Sequence, residues 1–271
     1  MPHRAKKSLG QNFLRSGSVL RSIVIAGDVQ STDTVLEIGP AKGALTKALL
    51  ATGAKVVAIE KDRLLMPYLS EKFSKEIKEK KLELIEGDVL EFNPKDVNLK
   101  SDNYKLIANI PYYITGAILE KFLEEETRPS CIVFLVQKEV ADRIVARDKK
   151  ESILSISVKA FGVPKVVLKV SKKAFSPSPK VDSAVLQISN ISHKYFDDWG
   201  IPESLAIKEF FGFVHAGFAH KRKLLARNLE KSSFKEVIQK AFLELELSQT
   251  VRAEDLSPEK WLLLARLLSQ K

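Results

Sequence analysis

Through the first two-thirds of the chain, short apolar runs rich in β-branched residues alternate with stretches whose apolar positions recur at helical spacing. Thr34–Ile38, Lys55–Ile59, Leu82–Ile85, Lys105–Ala108 and Cys131–Val136 read as strands. Ala44–Ala51, Arg63–Phe73, Gly116–Glu124 and Lys138–Ala146 read as helices between or after them. Such alternation predicts an α/β fold, a mostly parallel sheet with helices on both faces. Ligands of such sheets bind beyond the carboxyl ends of the strands. Val163–Val170 and Ala184–Ile188 read as later strands, separated by the Pro-rich turn Phe175–Pro179. After about Ser189 the pattern turns helical, with Glu203–Phe218, Lys221–Leu229, Phe234–Phe242 and Pro258–Leu268. The expected organisation is therefore an α/β domain over 1–189 and a small C-terminal all-helical domain over 190–271.

Composition narrows this picture only a little. The 271 residues are 45% hydrophobic and 29% charged, ordinary for a globular protein. The single cysteine, Cys131, lies inside an apolar run, so it reads as a small core residue and leaves no disulfide framework. That fits a reducing, cytoplasmic setting. The basic N-terminus has no apolar segment after it, and no run approaches the ~18–20 apolar residues of a membrane span. The four histidines show no metal-like spacing, so no metal site is expected. The formal net charge of +10 points to a polyanionic partner.

Candidate chemistry gathers at the ends of the predicted strands. Leu36–Gly43 (LEIGPAKG) forms the first strand-to-helix junction, where small residues admit a ligand close to the backbone. The second strand ends at Glu60, placed to accept ribose hydroxyls. Dinucleotide-binding enzymes carry G-x-G-x-x-G at this turn. The E-x-G-x-x-x-G here instead resembles the first motif of class I (Rossmann-like) methyltransferases. Asp88, after the third strand, is placed to accept a hydrogen bond from an adenine amino group.

Asn109–Tyr112 (NIPY) closes the fourth strand. It resembles the Asn/Asp-Pro-Pro-Tyr/Phe motif of enzymes that methylate amino groups on bases. An adenine amine is a poor nucleophile because its lone pair is delocalised into the ring. The Asn109 oxygen and the Ile110 carbonyl can accept its two N–H bonds and favour the positive charge developing at nitrogen. They also align nitrogen with the incoming methyl group. Pro111 fixes the turn, and Tyr112 offers a face on which the base stacks.

Further stretches extend the likeness: Lys7–Leu14 (KSLGQNFL), Glu37–Pro40 (EIGP), Glu60–Asp62 (EKD), Gly87–Asp88, Val136–Ala141 (VQKEVA), Phe175–Ser183 (FSPSPKVDS) and Phe218–Leu224 (FAHKRKL) running on to Asn228–Leu229. In this order they resemble the ribosomal RNA adenine N6,N6-dimethyltransferase family, KsgA and its relatives. The resemblance implies S-adenosyl-L-methionine as cofactor. It implies dimethylation of two adjacent adenosines in a loop near the 3′ end of 16S (small-subunit) rRNA, within an immature 30S subunit, by a cytoplasmic monomer. By the same resemblance Gln11, Asn12 and Leu14 help close over the cofactor. Gly39 contacts its amino-acid part, Glu60 its ribose and Asp88 its adenine, with Lys61 and Val89 beside them. Asn109 is shared between cofactor and target, and Phe175 packs on the base face opposite Tyr112, clamping a base drawn out of its helix. The family usually has glycine where this chain has Ala41, whose methyl group resists a positive φ. Tyr113 stands where relatives often have Asn.

The positive charge is distributed around these motifs. Arg4, Lys6, Lys7, Arg15 and Arg21 precede any acidic residue, Lys165, Lys169, Lys172, Lys173 and Lys180 flank the Phe175 turn, and Lys221, Arg222, Lys223 and Arg227 occupy the helical domain. Arg4, Lys6, Lys7, Lys180, Lys221, Arg222 and Lys223 are the candidates for phosphate contacts. Two rival readings stand beside the main one. One is a 23S rRNA adenine methyltransferase of the erythromycin-resistance type; the other is a ribosome-assembly factor without catalysis, which the presence of Glu60, Asp88 and Asn109 disfavours.

Overall fold

The computed structural model describes residues 12–270, apart from the side chain of Tyr112. In chain order the elements are β1 (Phe13–Leu14), α1 (Gly17–Ala26), β2 (Thr34–Ile38), α2 (Ala44–Leu50), β3 (Lys55–Glu60), α3 (Met66–Lys72), α4 (Ser74–Lys78), β4 (Leu82–Glu86), β5 (Lys105–Asn109) and α5 (Thr115–Glu124). There follow β6 (Cys131–Gln137), α6 (Lys138–Ile144), α7 (Ile153–Lys159), β7 (Val163–Val170), β8 (Phe175–Ser176), β9 (Ser183–Ser189), α8 (Glu203–Phe218), α9 (Leu225–Leu229), α10 (Lys235–Glu244) and α11 (Pro258–Ser269).

Seven strands form one sheet in the order β4-β3-β2-β5-β6-β9-β7. β4 through β6 pair in parallel, and β9 runs antiparallel to β6. This mostly parallel sheet is the one anticipated from the alternating pattern, and its order fits the class I methyltransferase arrangement that the E-x-G-x-x-x-G resemblance implied. The central strands are near-continuous apolar runs because both sheet faces are covered. Val35, Leu36, Leu106, Ile107, Ala108 and the whole run Ile132–Val136 are buried. β7, at the sheet edge, alternates exposed and half-buried positions and sets Lys165 and Lys169 on its exposed side, a charge pattern that discourages further strand pairing.

The chain leaves β2 for β3 and β4 on one side, then crosses back to β5 on the other. The crevice created at this reversal, beyond the carboxyl ends of β2 and β5, is where such sheets bind ligands. A second, two-residue ladder pairs β1 with β8, Phe13 opposite Ser176 and Leu14 opposite Phe175.

Contacts divide the chain into two compact units. One holds the chain through Ala141 together with Pro164–Ile191; the other holds Asp142–Val163 and everything from Ser192 onward. The sequence expectation kept 142–163 with the sheet. The difference lies in α7, which buries Ser155, Ile156 and Val158 and packs against α8 and α11. The Glu151 N–H also donates to the Glu254 carbonyl at 2.8 Å. The partners of this short helix lie about 50 to 110 residues away in the chain, beyond the reach of local periodicity.

The second unit also corrects the helix expected over Lys221–Leu229. Lys221, Arg222 and Lys223 lie in an exposed turn, and α9 begins only at Leu225. The turn is held from behind by Asn228, buried, whose Nδ2 donates to the carbonyls of Gly217 (2.5 Å) and His220 (3.2 Å). Gly217 must lack a side chain, since a Cβ there would stand 2.3 Å from the Trp261 ring. That ring stacks on Phe218 at 5.8 Å between centroids and donates its N–H to the Ala253 carbonyl.

Asn228→Ala leaves two carbonyls at the end of α8 without this donor. Urea unfolding should show a loss of about 1–3 kcal/mol in the helical unit; a stability within about 0.5 kcal/mol of the parent would mean that the turn does not depend on this side chain.

Candidate active site

The carboxyl ends of β2, β3 and β4 are stitched to one another. The Gly39 N–H donates to the Ile59 carbonyl at 2.9 Å and the Gly87 N–H to the Glu60 carbonyl at 3.0 Å. Between β2 and α2 the chain turns through three left-handed residues at every second position: Gly39 (φ 64°), Ala41 (φ 53°) and Gly43 (φ 72°). Gly43 is required twice over, because a Cβ would also meet the Phe73 ring at 2.4 Å. At Gly39 nothing lies within 4 Å of where a Cβ would be, so the backbone opens directly onto the crevice.

Ala41 does adopt the positive φ that its methyl group was expected to resist. An alanine there costs on the order of 1–2 kcal/mol, offset by its N–H, which donates to Glu60 Oε2 at 3.0 Å. The other oxygen of Glu60 accepts from the Asp62 N–H at 2.8 Å. Burial raises the Glu60 carboxyl above its usual range, and these backbone donors oppose the shift. Each carboxylate oxygen has a second lone pair, so Glu60 retains acceptor capacity for a ligand.

Across the crevice Lys61 Nζ meets Asp88 Oδ2 at 2.5 Å, while Asp88 Oδ1 accepts from the Leu90 N–H at 3.1 Å. The Lys61 ammonium holds the Asp88 carboxyl below the ordinary range. At the end of β5, Asn109 Nδ2 donates to the Asn12 carbonyl at 3.3 Å. This bond orients the amide, turning Oδ1 away from Asn12.

One cleft brings most of the expected residues together. Asn12, Gly39, Glu60, Lys61, Asp88, Val89, Asn109, Ile110 and Pro111 all line it, and it encloses about 820 Å³ including its open mouth. Leu14 lines an adjoining cavity that shares Gly39, Ala41 and Asn109 with the cleft. Gln11, Arg4, Lys6 and Lys7 lie outside the described residues, and Tyr112 is placed by its backbone in the 3-10 turn after Pro111.

Phe175 departs from expectation. It is 5% exposed, packs in the apolar core with Leu14, Val170 and Val185, and lines neither the cleft nor the cavity. The β1–β8 ladder turns it inward opposite Leu14. Cys131 behaves as expected of a core thiol, pushed up to about 11 by burial. Among the described residues no group of three His, Cys, Asp or Glu is placed to hold a metal ion.

Two participants escaped the sequence reading. Phe13 lines both spaces and carries Lys42 Nζ 4.6 Å above its ring. Its position inside the Asn12–Leu14 stretch was the available signal. Glu37 lines the adjoining cavity, is 1% exposed, and has an Oε2 with no hydrogen-bond partner. Burial pushes its carboxyl up to about 8, against a smaller opposing contribution from Thr46. In sequence it opens the E-x-G-x-x-x-G motif, which does not show that its side chain faces a cavity.

Comparisons with known proteins agree with this geometry. The family model described as Ribosomal RNA adenine dimethylase matches residues 2–270. A protein of Dehalococcoides mccartyi named Ribosomal RNA small subunit methyltransferase A is 38% identical over 96% of this chain and 87% of its own length. A protein of the same name from Thermosynechococcus vestitus is 38% identical, covering 98% of each chain. Among solved structures, a dimethyladenosine transferase from Plasmodium falciparum superposes with a TM-score of 0.77 at 25% identity, over 93% of this chain and 95% of its own. The 23S rRNA methyltransferase ErmE superposes at 0.73 and 25% identity, over 96% of this chain and 100% of its own.

Glu37 makes the ligand-free fold sensitive to pH. Its folded-state pKa of about 8 lies above the ordinary 4.5, so the native state binds more protons than the unfolded state between those values. Stability therefore falls as pH rises through this window, by up to about 1.4 kcal/mol per pH unit. Glu37→Gln should remove that slope, and its advantage over the parent should widen from pH 6 to 8 in urea unfolding without ligand. Parallel profiles for the two proteins would show that Glu37 is not held neutral.

Proposed function

The chain belongs to the ribosomal RNA adenine dimethylase family, and from that premise we propose how its cleft performs the reaction and what it meets. The enzyme transfers methyl groups from S-adenosylmethionine to the N6 amines of two adjacent adenosines near the 3′ end of small-subunit rRNA, during small-subunit biogenesis. The observation that carries the mechanism is the convergence of Asn109, Glu60, Asp88 and the open Gly39 on one cleft at the sheet reversal.

The residues present suit the cofactor. Glu60 keeps lone pairs for ribose hydroxyls, and Asp88 faces an amine once Lys61 yields its place. The backbone at Gly39 leaves space for the amino-acid end, and the unpartnered Glu37 oxygen suits the ammonium there. When bound, the cofactor supplies a methyl group made electrophilic by its positive sulfur. The protein's part is played by the amide of Asn109 and the carbonyl of Ile110, which accept the two N–H bonds of the target amine and concentrate its lone pair on nitrogen. Pro111 holds the turn that presents both acceptors. The methylated amine then loses its proton to water, so no histidine or cysteine base is needed. Of the two aromatic residues expected to clamp the base, Tyr112 keeps that role in this reading, because Phe175 is enclosed by the core.

RNA is held through exposed cations. Lys180 and the turn Lys221–Lys223 present theirs to solvent, and Arg4, Lys6 and Lys7 add charge from the N-terminal segment. The partner is the immature 30S subunit, met by a monomer in the cytoplasm. No helix among the described residues is long and apolar enough to cross a membrane. The likeness to ErmE keeps a large-subunit target as the second reading; labelled methyl transfer to purified immature 30S and 50S particles separates the two.

Asn109→Ala should lower methyl transfer about 100-fold or more with an unchanged melting profile; full activity on immature small subunits would overturn the mechanism. Reversing the charges of Lys221, Arg222 and Lys223 should weaken RNA binding and flatten its salt dependence, by about 0.7–0.9 in log–log slope for each phosphate no longer neutralised. An unchanged slope would remove this turn from the interface.

A further inference from the structure

We propose that Lys138, Lys172 and Lys180 form an anion pocket that holds a backbone phosphate of the RNA strand next to the target adenosine. The pocket presupposes the RNA substrate proposed for the cleft. The three lysines line a cavity separate from the cofactor cleft, together with Glu139, Val181 and Asp182.

The pocket is assembled from three stretches of chain that one residue ties together. The Asp182 carbonyl accepts from the Lys138 N–H at 3.0 Å, and Asp182 Oδ1 accepts from the Lys172 N–H at 2.9 Å. The Ser178 hydroxyl donates to the Lys172 carbonyl at 2.9 Å, closing the loop that carries Lys180. The lysines are therefore displayed on fixed backbone, which lowers the ordering cost of gathering an anion. Asp182 and the exposed Glu139 offset part of the positive charge, and one oxygen of Asp182 is engaged by backbone, so the pocket keeps a net positive charge.

Position selects the ligand. Asn109 pairs with Leu135 across β5 and β6, and Lys138 lies three residues further toward the same edge of the sheet. The two Cα positions are thus separated by about 11 Å, from a rise of ~3.3 Å per residue and a strand spacing of ~4.8 Å. That span matches the reach from an adenine amine, across its sugar, to a phosphate on either side of the nucleoside. A strand whose adenine sits at Asn109 has to pass the pocket, and phosphate is the anion it brings. Phosphate contacts of this kind set register rather than read sequence, which suits an enzyme that must treat two neighbouring adenosines alike.

The test uses the full chain and a hairpin RNA with two adjacent adenosines in its loop, made with either normal or uncharged methylphosphonate linkages flanking the target. Lys172→Gln/Lys180→Gln, both at exposed positions, is the main variant, and Lys138→Gln is added to it as a third change. The double variant should bind the normal RNA about 10-fold more weakly at low salt, with a log–log salt slope reduced by about 0.7 for the one single-strand phosphate no longer neutralised. One flanking methylphosphonate should weaken the parent but not the variant. Affinity for S-adenosylhomocysteine should stay within about 2-fold, reporting an intact cleft. An unchanged salt slope, or equal weakening of parent and variant by every methylphosphonate, would overturn the pocket. A parent protein that binds this RNA and immature 30S particles no better than an unrelated sequence, and methylates neither, would instead overturn the reading on which the pocket rests.

Discussion

The cleft depends on one buried carboxylate. Glu60 accepts N–H bonds from Ala41 on one side and Asp62 on the other. The first bond fixes a loop whose three left-handed residues have little intrinsic preference for that shape. The second fixes the chain as it leaves β3 for Lys61. A carboxylate buried to this degree would be costly without such partners, and the loop without the carboxylate would lose its anchor. Each therefore stabilises the other, and the Glu60 carboxylate is in position before any ligand arrives. Preorganisation of this kind is what lets a polar group act in binding without a reorganisation cost at that moment.

The remaining charges around the cleft are arranged differently. Asp88 already has a partner in Lys61, an exposed side chain that can leave without disturbing the fold. Glu37 has no partner for one oxygen, and burial pushes its carboxyl up to about 8. The site thus offers a cationic ligand one carboxylate shielded by an exposed ammonium and another that burial makes harder to ionise. A buried Glu37 left ionised without a partner would weaken the fold, whereas a protonated one can ionise when a cation neutralises it.

Legibility in the sequence followed the range of the interactions involved. Strand runs such as Thr34–Ile38 and Val163–Val170 were readable to the residue from their unbroken or alternating apolar pattern. The cleft residues Gly39, Glu60, Asp88 and Asn109 were readable because each terminates such a run. What depends on distant partners was not. α7 joins the helical unit through contacts far away in sequence, and the helical pattern of Lys221–Leu229 hid a turn set by Asn228. Phe175 was expected at the base from its motif, yet the ladder to Leu14 decides which way it faces. The orphaned oxygen of Glu37 is a property of packing alone.

That small ladder between β1 and β8 has a larger consequence than its size implies. On one side, β1 carries Phe13, which lines the cleft, and follows Asn12, whose carbonyl receives the amide of Asn109. On the other side, β8 belongs to the loop that runs from Lys172 to Lys180. The same two-residue pairing therefore connects the segment that carries Asn12 and Phe13 with the loop that bears Lys172 and Lys180. Burial of Phe175 is then understandable in mechanical terms: its ring anchors the ladder in the core beside Val170 and Val185.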